Sequence, residues 1–275
     1  MRKKLSRLFQ WLYKGVPVVK VLPIITPVLD KEKLKGRRIV ILGGSRGVGA
    51  SIAQKCQECG AEILIVGRDS DTLRMASVSM GNCKTMSFDV RDIHDYDDLL
   101  IRFEGILAGP IDSLVYCASL YLHETSIMDV TPDGFDSQFS INLRAPYFLS
   151  KAFIKYVESR SIPAANLLMV SSEMGLYCSD IPYGLSKASL CSLVEGMGRR
   201  CLKQGIRVNG LAPGVMAHEV ANSSEDLFNK YSCGQRLILP EEVAEVAAFL
   251  LSDASSCIVG TVIPCNFGNH YRCDW

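Results

Sequence analysis

A tyrosine and a lysine four positions apart are the side chains of this sequence with the clearest potential for chemistry. Tyr183 and Lys187 lie in the run Ile-Pro-Tyr-Gly-Leu-Ser-Lys-Ala-Ser, residues 181–189. At this spacing both side chains face the same side of a helix. An ammonium beside a phenol favours the phenolate, so we expect Lys187 to lower the pKa of Tyr183 from its ordinary value of ~10. The pair predicts a proton donor and acceptor that works near neutral pH.

Taken alone, such a pair can equally be a solvated helix face, but a glycine-rich segment comes before it in the chain. Residues 37–42 read as a buried strand and residues 50–59 as a helix. Between them lies Gly-Gly-Ser-Arg-Gly-Val-Gly, residues 43–49. Glycines let a backbone approach a pyrophosphate, and a helix N-terminus offers it free N–H groups. The segment predicts dinucleotide binding through Gly43, Ser45, Arg46, Gly47, Val48 and Gly49.

The next strand, residues 62–67, bears on the choice of cofactor. An NAD site usually has an acidic residue at this strand end, where it binds the ribose hydroxyls. Here the strand ends in Gly67 and Arg68, and Arg46 of the glycine loop can converge on the same place. Two guanidinium groups suit a 2′-phosphate, which favours NADP(H) over NAD(H). Asp69 follows directly, and the alternative is that both arginines are solvated surface charges.

Three further polar residues follow predicted elements in a definite order. Asp89, with Val90 after it, ends a strand where a carboxylate can meet an adenine amino group. Asn142 lies in a helical pattern, and Ser172 follows a strand at residues 166–171. Open α/β sheets bind ligands at the carboxyl ends of their strands. Each residue alone is usually a cap or a turn residue, and only their joint order favours a site.

With these motifs in order, the chain resembles the short-chain dehydrogenase/reductase family over roughly residues 36–270. Within the family it is most similar to the 3-oxoacyl-carrier-protein reductase and carbonyl reductase group. The resemblance implies one α/β domain with a Rossmann-type, doubly wound parallel sheet of about seven strands and helices on both faces. It rests on Gly43-x-x-x-Gly47-x-Gly49, Asp89, Asn142, Ser172, Tyr183-x-x-x-Lys187 and the run Asn-Gly-Leu-Ala-Pro-Gly at residues 209–214.

The resemblance also implies a role for each matching residue. Tyr183 would be the general acid that protonates a carbonyl oxygen as hydride arrives from the nicotinamide. Lys187 would lower the pKa of Tyr183 and bind the nicotinamide ribose. Ser172 would orient the carbonyl, and Asn142 would hold the water chain that resupplies the proton. The cofactor site would also include Ala118, Pro213 and Gly214.

The chain departs from the family pattern at three places. The family usually has Asn-Asn-Ala-Gly after its fourth strand, where this chain has Tyr-Cys-Ala-Ser at residues 116–119. The loop from Ser172 to Tyr183 is about two residues shorter than is usual in the family. His218 follows Pro213 and Gly214 in the region where a threonine often contacts the nicotinamide amide.

Strands and helices alternate along the chain, which predicts a parallel sheet covered on both faces. Residues 218–239 are polar and irregular, and the resemblance implies that they form a flap over the substrate. Predicted strands span 37–42, 62–67, 84–88, 112–117, 166–171, 206–211 and 258–263, and predicted helices include 96–108, 133–158, 183–204 and 240–252.

Composition narrows the class of protein. The chain has 275 residues, enough for one large domain with a substantial core. Its net charge of +1 argues against nucleic acid as a partner. Its 11 cysteines are scattered rather than clustered, so we expect no metal site and a reducing, cytoplasmic compartment.

Residues 1–35 form an extension ahead of the domain predicted over residues 36–275. Residues 1–29 contain six basic side chains, and apolar ones recur at helical spacing from Leu5 to Val16. This pattern is typical of a helix that lies on an anionic membrane surface, so a peripheral membrane contact is one expectation. A mitochondrial transit peptide, or an arm packed on the enzyme or a neighbouring subunit, are the alternatives. Basic residues interrupt any apolar core, which disfavours a secretory signal.

Together these features predict an NADPH-dependent reductase that transfers a hydride to a ketone or 3-oxoacyl carbonyl. One alternative is a scaffold on the same fold that holds nucleotide without turnover, and the altered run at residues 116–119 favours it. The other is an NAD-dependent alcohol dehydrogenase of the same family. The expected assembly is a homodimer or homotetramer.

Overall fold

The structure is a computed structural model, and it describes residues 30–217 and 227–271. Seven parallel strands form one sheet in the order β3-β2-β1-β4-β5-β6-β7. This order reverses between β1 and β4, which makes the crevice there the expected ligand site of a doubly wound sheet. The strands are β1 Arg38–Leu42, β2 Glu62–Gly67, β3 Lys84–Ser87, β4 Ser113–Tyr116, β5 Ala165–Val170, β6 Ile206–Pro213 and β7 Val262–Cys265.

Helices cover both faces of the sheet, as predicted. One face packs against α3, α5 and α6, and the other packs against α1, α2 and α7. The helices are α1 Gly47–Glu58, α2 Ser70–Ser79, α3 Tyr96–Leu107, α4 Pro132–Phe139, α5 Ala145–Ser159, α6 Pro182–Cys201 and α7 Pro240–Leu251.

The central strand β1 shows why its sequence is apolar throughout. Val40 and Leu42 belong to the core on one face, whereas Ile39 and Ile41 belong to the core on the other. All four side chains are fully buried, since β1 is central in the sheet and helices cover both of its faces. Such two-sided burial is typical of a parallel sheet, and it fixes the strand ends that carry the site.

The helix predicted over residues 133–158 is in fact two helices joined by a π turn, Ser140–Arg144. Pro146 provides the physical reason: it has no N–H to donate to the carbonyl of Asn142, four residues before it. Single π turns inside helices are frequent at functional sites. This one carries Asn142, which is fully buried.

The last strand begins later than predicted over residues 258–263. Gly260 has φ +68°, in the left-handed region, so a regular strand cannot pass through it. Its N–H donates to the carbonyl of Val208 (2.8 Å), and β7 follows from Val262.

Two predicted segments fall wholly or partly outside the described residues. These are the basic stretch 1–29 and, in the flap, residues 218–226, which include His218. The described residues before β1 pack against the domain: Leu34 is fully buried and its N–H donates to the carbonyl of Cys59 (2.9 Å). Within residues 30–217 and 227–271, no helix combines the length and the apolar character needed to cross a membrane.

Candidate active site

The glycine loop between β1 and α1 is packed too tightly for side chains at two positions. A Cβ on Gly43 would lie 2.6 Å from the amide nitrogen of Ala118, and Gly43 also has φ +82°. A Cβ on Gly49 would lie 2.1 Å from the carbonyl oxygen of Gly43. Across the described residues, no side chain caps the start of α1 at Arg46, so its first N–H groups remain available to an anion. This loop therefore fits the pyrophosphate of a dinucleotide.

A cavity of about 210 Å³ opens beside this loop, at the switch between β1 and β4. Its walls come from segments far apart in sequence, which meet because parallel strands end at one edge of the sheet. Its size and position suit the adenosine half of NAD(P). Six predicted cofactor residues line it: Gly43, Ser45, Arg46, Arg68, Val90 and Ala118.

Two arginines and one carboxylate lie at the cavity or beside it. Arg46 and Arg68 both line the wall, as the sequence predicts. The carboxylate of Asp69 instead caps α2, where Oδ1 accepts from the N–H of Thr72 (2.7 Å) and from its hydroxyl (2.5 Å). These hydrogen bonds, with a smaller contribution from Arg46, lower the pKa of Asp69. Asp69 therefore serves the helix cap, and Arg46 and Arg68 are the basic residues of the cavity wall.

Asp89 follows β3, as predicted, but its carboxylate is engaged by Arg91. Arg91 Nη2 lies 2.5 Å from Oδ2, and Arg91 Nε lies 3.0 Å from Oδ1. This pair holds the pKa of Asp89 below its ordinary value, and Arg68 adds to the effect. The contact of Asp89 with an adenine remains a prediction.

The predicted pair Tyr183 and Lys187 lies in the first turns of α6, facing the end of β5. Lys187 is only 2% exposed, and its ammonium donates to the carbonyl oxygen of Val170 (3.1 Å) at that strand end. The ammonium nitrogen lies 5.6 Å from the centre of the Tyr183 ring. The helical spacing therefore brings the two side chains together as expected.

The predicted direction of the Tyr183 pKa shift is wrong. Burial is the largest influence and raises this pKa, while hydrogen bonds with Ser172 and Ser119 oppose the rise. Burial also lowers the pKa of Lys187 to about 8. The ammonium lies over the aromatic ring and binds a main-chain carbonyl, and its attraction for a phenolate is smaller than the cost of removing the phenol from water. As a result, Tyr183 is a neutral phenol near pH 7 and can donate a proton.

Ser172 reaches Tyr183 through a tight turn after β5. Its Oγ accepts from the N–H of Met174 (3.2 Å) at the start of a 3₁₀ turn, Glu173–Gly175. A Cβ on Gly175 would lie 2.8 Å from the main chain of Lys187, so the turn packs directly on α6. The shortened loop between Ser172 and Tyr183 therefore still places Ser172 where its hydroxyl influences the pKa of Tyr183.

The side chain of Asn142 ties the π turn to the segment after β4. Its Nδ2 donates to the carbonyl of Leu120 (2.8 Å) and to Oγ of Ser186 (3.1 Å). Its Oδ1 accepts from the N–H of Leu120 (2.8 Å) and from the hydroxyl of Ser119 (3.3 Å). Two donors and two acceptor positions are all that an amide has. The Asn142 side chain is therefore fully engaged by protein groups, and its role in a water chain stays a prediction.

Pro213 and Gly214 end β6 on the same side of the sheet. The N–H of Gly214 donates to the carbonyl of Cys265 (3.0 Å), and a Cβ on Gly214 would lie 2.9 Å from Oε2 of Glu173. That buried carboxylate accepts from Nδ2 of Asn266 (3.2 Å). The end of β6 is thus held close to the turn that carries Ser172.

The sequence does not predict two neighbours of Tyr183. The ring of Tyr121 stacks on it, with centres 4.3 Å apart and planes inclined by 24°. The hydroxyl of Ser119 is the other, and its influence opposes the rise in the pKa of the phenol. In the sequence Ser119 shows only as a departure from a family pattern, and nothing in the sequence pairs it with Tyr183. The feature of the sequence that could have indicated Ser119 is its hydroxyl, which follows a strand beside the switch point.

Comparison with known proteins matches most of the chain. The family model described as enoyl-(acyl carrier protein) reductase matches residues 43–270. Gluconate 5-dehydrogenase of Gluconobacter oxydans is 29% identical over 245 residues, which cover 85% of this chain and 94% of the relative. The 3-oxoacyl-[acyl-carrier-protein] reductase FabG of Chlamydia trachomatis is 29% identical over 246 residues, or 86% of this chain and 98% of that protein.

A solved structure shares the same fold. The crystal structure of a short chain dehydrogenase from Bacillus anthracis superposes with a TM-score of 0.78 at 26% identity. The match covers 88% of this chain and 98% of that one.

Proposed function

The chain belongs to the short-chain dehydrogenase/reductase family of NAD(P)-dependent oxidoreductases, and we propose that it reduces a ketone or 3-oxoacyl carbonyl with NADPH. The observation that carries this proposal is the pair of Tyr183 and Lys187 at the end of β5, where a buried ammonium lies 5.6 Å from the centre of the phenol ring. A neutral phenol is a proton donor, and carbonyl reduction needs one at the carbonyl oxygen.

The residues of the site have two roles, which are to position the carbonyl and to transfer a proton to it. When bound, the cofactor supplies the hydride that reaches the carbonyl carbon. Ser172 donates a hydrogen bond to the carbonyl oxygen, which holds it beside the phenol. Tyr183 then gives its proton to that oxygen, and a phenolate is left on the enzyme. The Lys187 ammonium, 5.6 Å from the ring centre, stabilises this negative charge in a buried setting.

The protonation state of Tyr183 is compatible with carbonyl reduction. Burial disfavours the phenolate, and the neutral phenol is the form that gives a proton to a carbonyl oxygen.

The choice of NADPH rests on the walls of the cavity. Arg46 and Arg68 line it, while Asp69 is committed to the cap of α2. A 2′-phosphate would meet two guanidinium groups there, whereas a free ribose would lack a carboxylate partner.

The direct test is a panel of substrates monitored by the absorbance of NADPH. It should include simple ketones, 3-oxoacyl thioesters and 2-enoyl thioesters, because the matching family model is described as an enoyl reductase. We expect oxidation of NADPH with carbonyl substrates. Turnover of 2-enoyl thioesters alone would contradict the proposal. Tight NADPH binding without turnover on the whole panel would favour the scaffold alternative.

The cost of burying the Lys187 ammonium can be tested through the stability of the protein rather than its activity. Burial lowers the pKa of Lys187 from 10.5 to about 8. A lowering of this size corresponds to about 3 kcal/mol that the charged lysine costs the folded state below pH 8. Above pH 8 the native state loses this proton before the unfolded state does, so stability should rise with pH up to about 10.5.

Lys187→Met should therefore unfold at a higher denaturant concentration than the wild type at pH 7. We expect a gain of about 1–3 kcal/mol, reduced by the lost hydrogen bond to the carbonyl of Val170. The difference should shrink as the pH rises from 8 to 10.5, while turnover is lost throughout. A variant that is less stable at pH 7 would show that burial does not penalise this charge.

For the assembly we infer a homodimer or homotetramer. A groove of about 450 Å³ runs between α5 and α6, with Ile154, Leu193 and Met197 among its walls. Exposed rings such as Tyr147 border it. An apolar surface of this kind suits a second copy of the chain. Light scattering should give a multiple of the 30.3 kDa monomer, and a monomeric mass would contradict the inference.

A further inference from the structure

The ring of Tyr121 occupies the space beside the ring of Tyr183. The two ring centres lie 4.3 Å apart, and the ring planes are inclined by 24°. Carbon atoms in contact are already about 3.5–4 Å apart, so no part of a substrate fits between the two rings. Tyr121 therefore covers one face of the side chain that is proposed to protonate the carbonyl.

A carbonyl bound at Tyr183 brings its own substituents close to Tyr121. The carbonyl oxygen would accept from the phenol at about 2.7 Å, and the substituents begin only two bonds away from that oxygen. Tyr121 is half-buried, so part of its ring stays exposed at the site. A substituent that extends towards this ring has room only if it is short.

The backbone on both sides of Tyr121 is fixed by hydrogen bonds. The N–H of Leu120 donates to Oδ1 of Asn142, and the carbonyl of Leu120 accepts from Nδ2 of the same amide, both at 2.8 Å. Three residues after Tyr121, Oε1 of Glu124 accepts from Nε2 of Gln138 on α4 (2.6 Å). The segment cannot move away from α6 as a whole without breaking these bonds.

A second ring contact holds the side chain of Tyr121 in place. The ring of His123 packs on it, with centres 4.2 Å apart and planes inclined by 37°. His123 has φ +61°, a left-handed conformation that residues other than glycine rarely adopt. If Tyr121 rotated out of the site, it would lose its contacts with both Tyr183 and His123. Tyr121 is thus a fixed wall of the site and does not move aside for a larger substrate.

We propose that Tyr121 is a specificity-determining residue, which limits the carbonyl to a hydrogen or a methyl group on the side that faces this ring. This inference rests on the proposed function. The substrate class is then aldehydes and methyl ketones, and among 3-oxoacyl thioesters it includes the acetoacetyl thioester, which is a methyl ketone. Even one extra methylene against a fixed wall lowers kcat/KM by about tenfold or more.

The test compares pairs of ketones that differ only in the size of one substituent. Acetophenone and isobutyrophenone form one pair, and acetoacetyl and 4-methyl-3-oxopentanoyl thioesters form the other. Within each pair an isopropyl group replaces a methyl group. The inherent reactivity of each ketone is the same for every variant, so a change in the ratio of the two kcat/KM values reports the space in the site.

Tyr121→Ala removes the ring and should raise the isopropyl-to-methyl ratio of kcat/KM by about 10–100-fold, measured by NADPH oxidation. A loss of turnover that is common to both ketones does not alter this ratio. Tyr121→Phe keeps the ring and should keep the wild-type ratio. If the alanine variant does not fold, Tyr121→Leu removes part of the ring volume and should raise the ratio by a smaller factor.

Leu122→Ala is the matched control, because it removes apolar bulk from the same segment. Leu122 packs towards α4, where a Cβ on Gly134 would lie 3.2 Å from Cδ1 of Leu122. This variant should keep the wild-type ratio. An equal rise of the ratio in Leu122→Ala and Tyr121→Ala would show that a loosened segment, and not the missing ring, admits the larger ketone, which overturns the proposal.

The remaining outcomes separate this proposal from the function on which it rests. An unchanged ratio in Tyr121→Ala, with both ketones reduced, overturns the size limit and leaves the carbonyl reductase intact. A ratio that rises as much in Tyr121→Phe as in Tyr121→Ala also overturns it, because the hydroxyl and not the ring would then set the preference. If the wild type reduces no carbonyl on the panel, the proposed function fails and the size limit fails with it.

Discussion

Replacing Tyr183 by phenylalanine is expected to lower kcat by about 10²–10⁴-fold while leaving NADPH affinity close to that of the wild type. The substitution removes only the phenolic hydroxyl. The ring that stacks on Tyr121 stays, so the packing around it should persist. Turnover is measured by NADPH oxidation with the best carbonyl substrate, and affinity by the change in NADPH fluorescence on binding.

Tyr271→Phe is the matched control for this experiment. It also removes one phenolic hydroxyl, from an exposed ring after β7. The control should keep wild-type turnover, and both variants should unfold near the wild-type denaturant midpoint. Near-normal turnover by Tyr183→Phe would show that another group protonates the carbonyl oxygen.

The expected loss of turnover depends on Tyr183 and Lys187, a pair that the sequence predicts. The direction of the Tyr183 pKa shift is predicted wrongly. The spacing of Tyr183 and Lys187 is a property of one helix, so it can be predicted locally. The pKa of Tyr183 depends on how deeply its phenol is buried, which neighbours from other elements decide. Ser119 and Tyr121 come from the segment after β4, and no periodicity in the sequence pairs them with α6.

The fold shows the same division between local and distant causes. Runs of apolar residues predict the strands, because both faces of a parallel sheet are buried. Two boundaries differ where a single residue changes the backbone. Pro146 withholds an N–H from Asn142 and gives a π turn, and Gly260 adopts φ +68° and delays β7. The π turn carries Asn142, whose side chain binds Ser119 and Leu120 in the segment after β4.

The second large effect is expected in the choice of cofactor, through Arg68. Arg68→Ala should weaken NADPH binding by about 10–100-fold, since a charge-assisted hydrogen bond contributes roughly 1.5–3 kcal/mol. NADH lacks the 2′-phosphate, so its affinity should change by less than about threefold. The double variant Arg46→Ala, Arg68→Ala should lose most of the preference, because both guanidinium groups line the same cavity.

Arg74→Ala is the control for the loss of one positive charge near the site. Arg74 lies on α2, is largely exposed and pairs with Asp71 at 3.6 Å, so its removal should leave both cofactor affinities unchanged. In this variant Asp69 should not bind the ribose hydroxyls of NADH, because its Oδ1 caps α2 through Thr72. Equal weakening of NADPH and NADH in Arg68→Ala would mean that this arginine supports the loop rather than a phosphate. A wild-type preference for NADH would overturn the NADPH assignment outright.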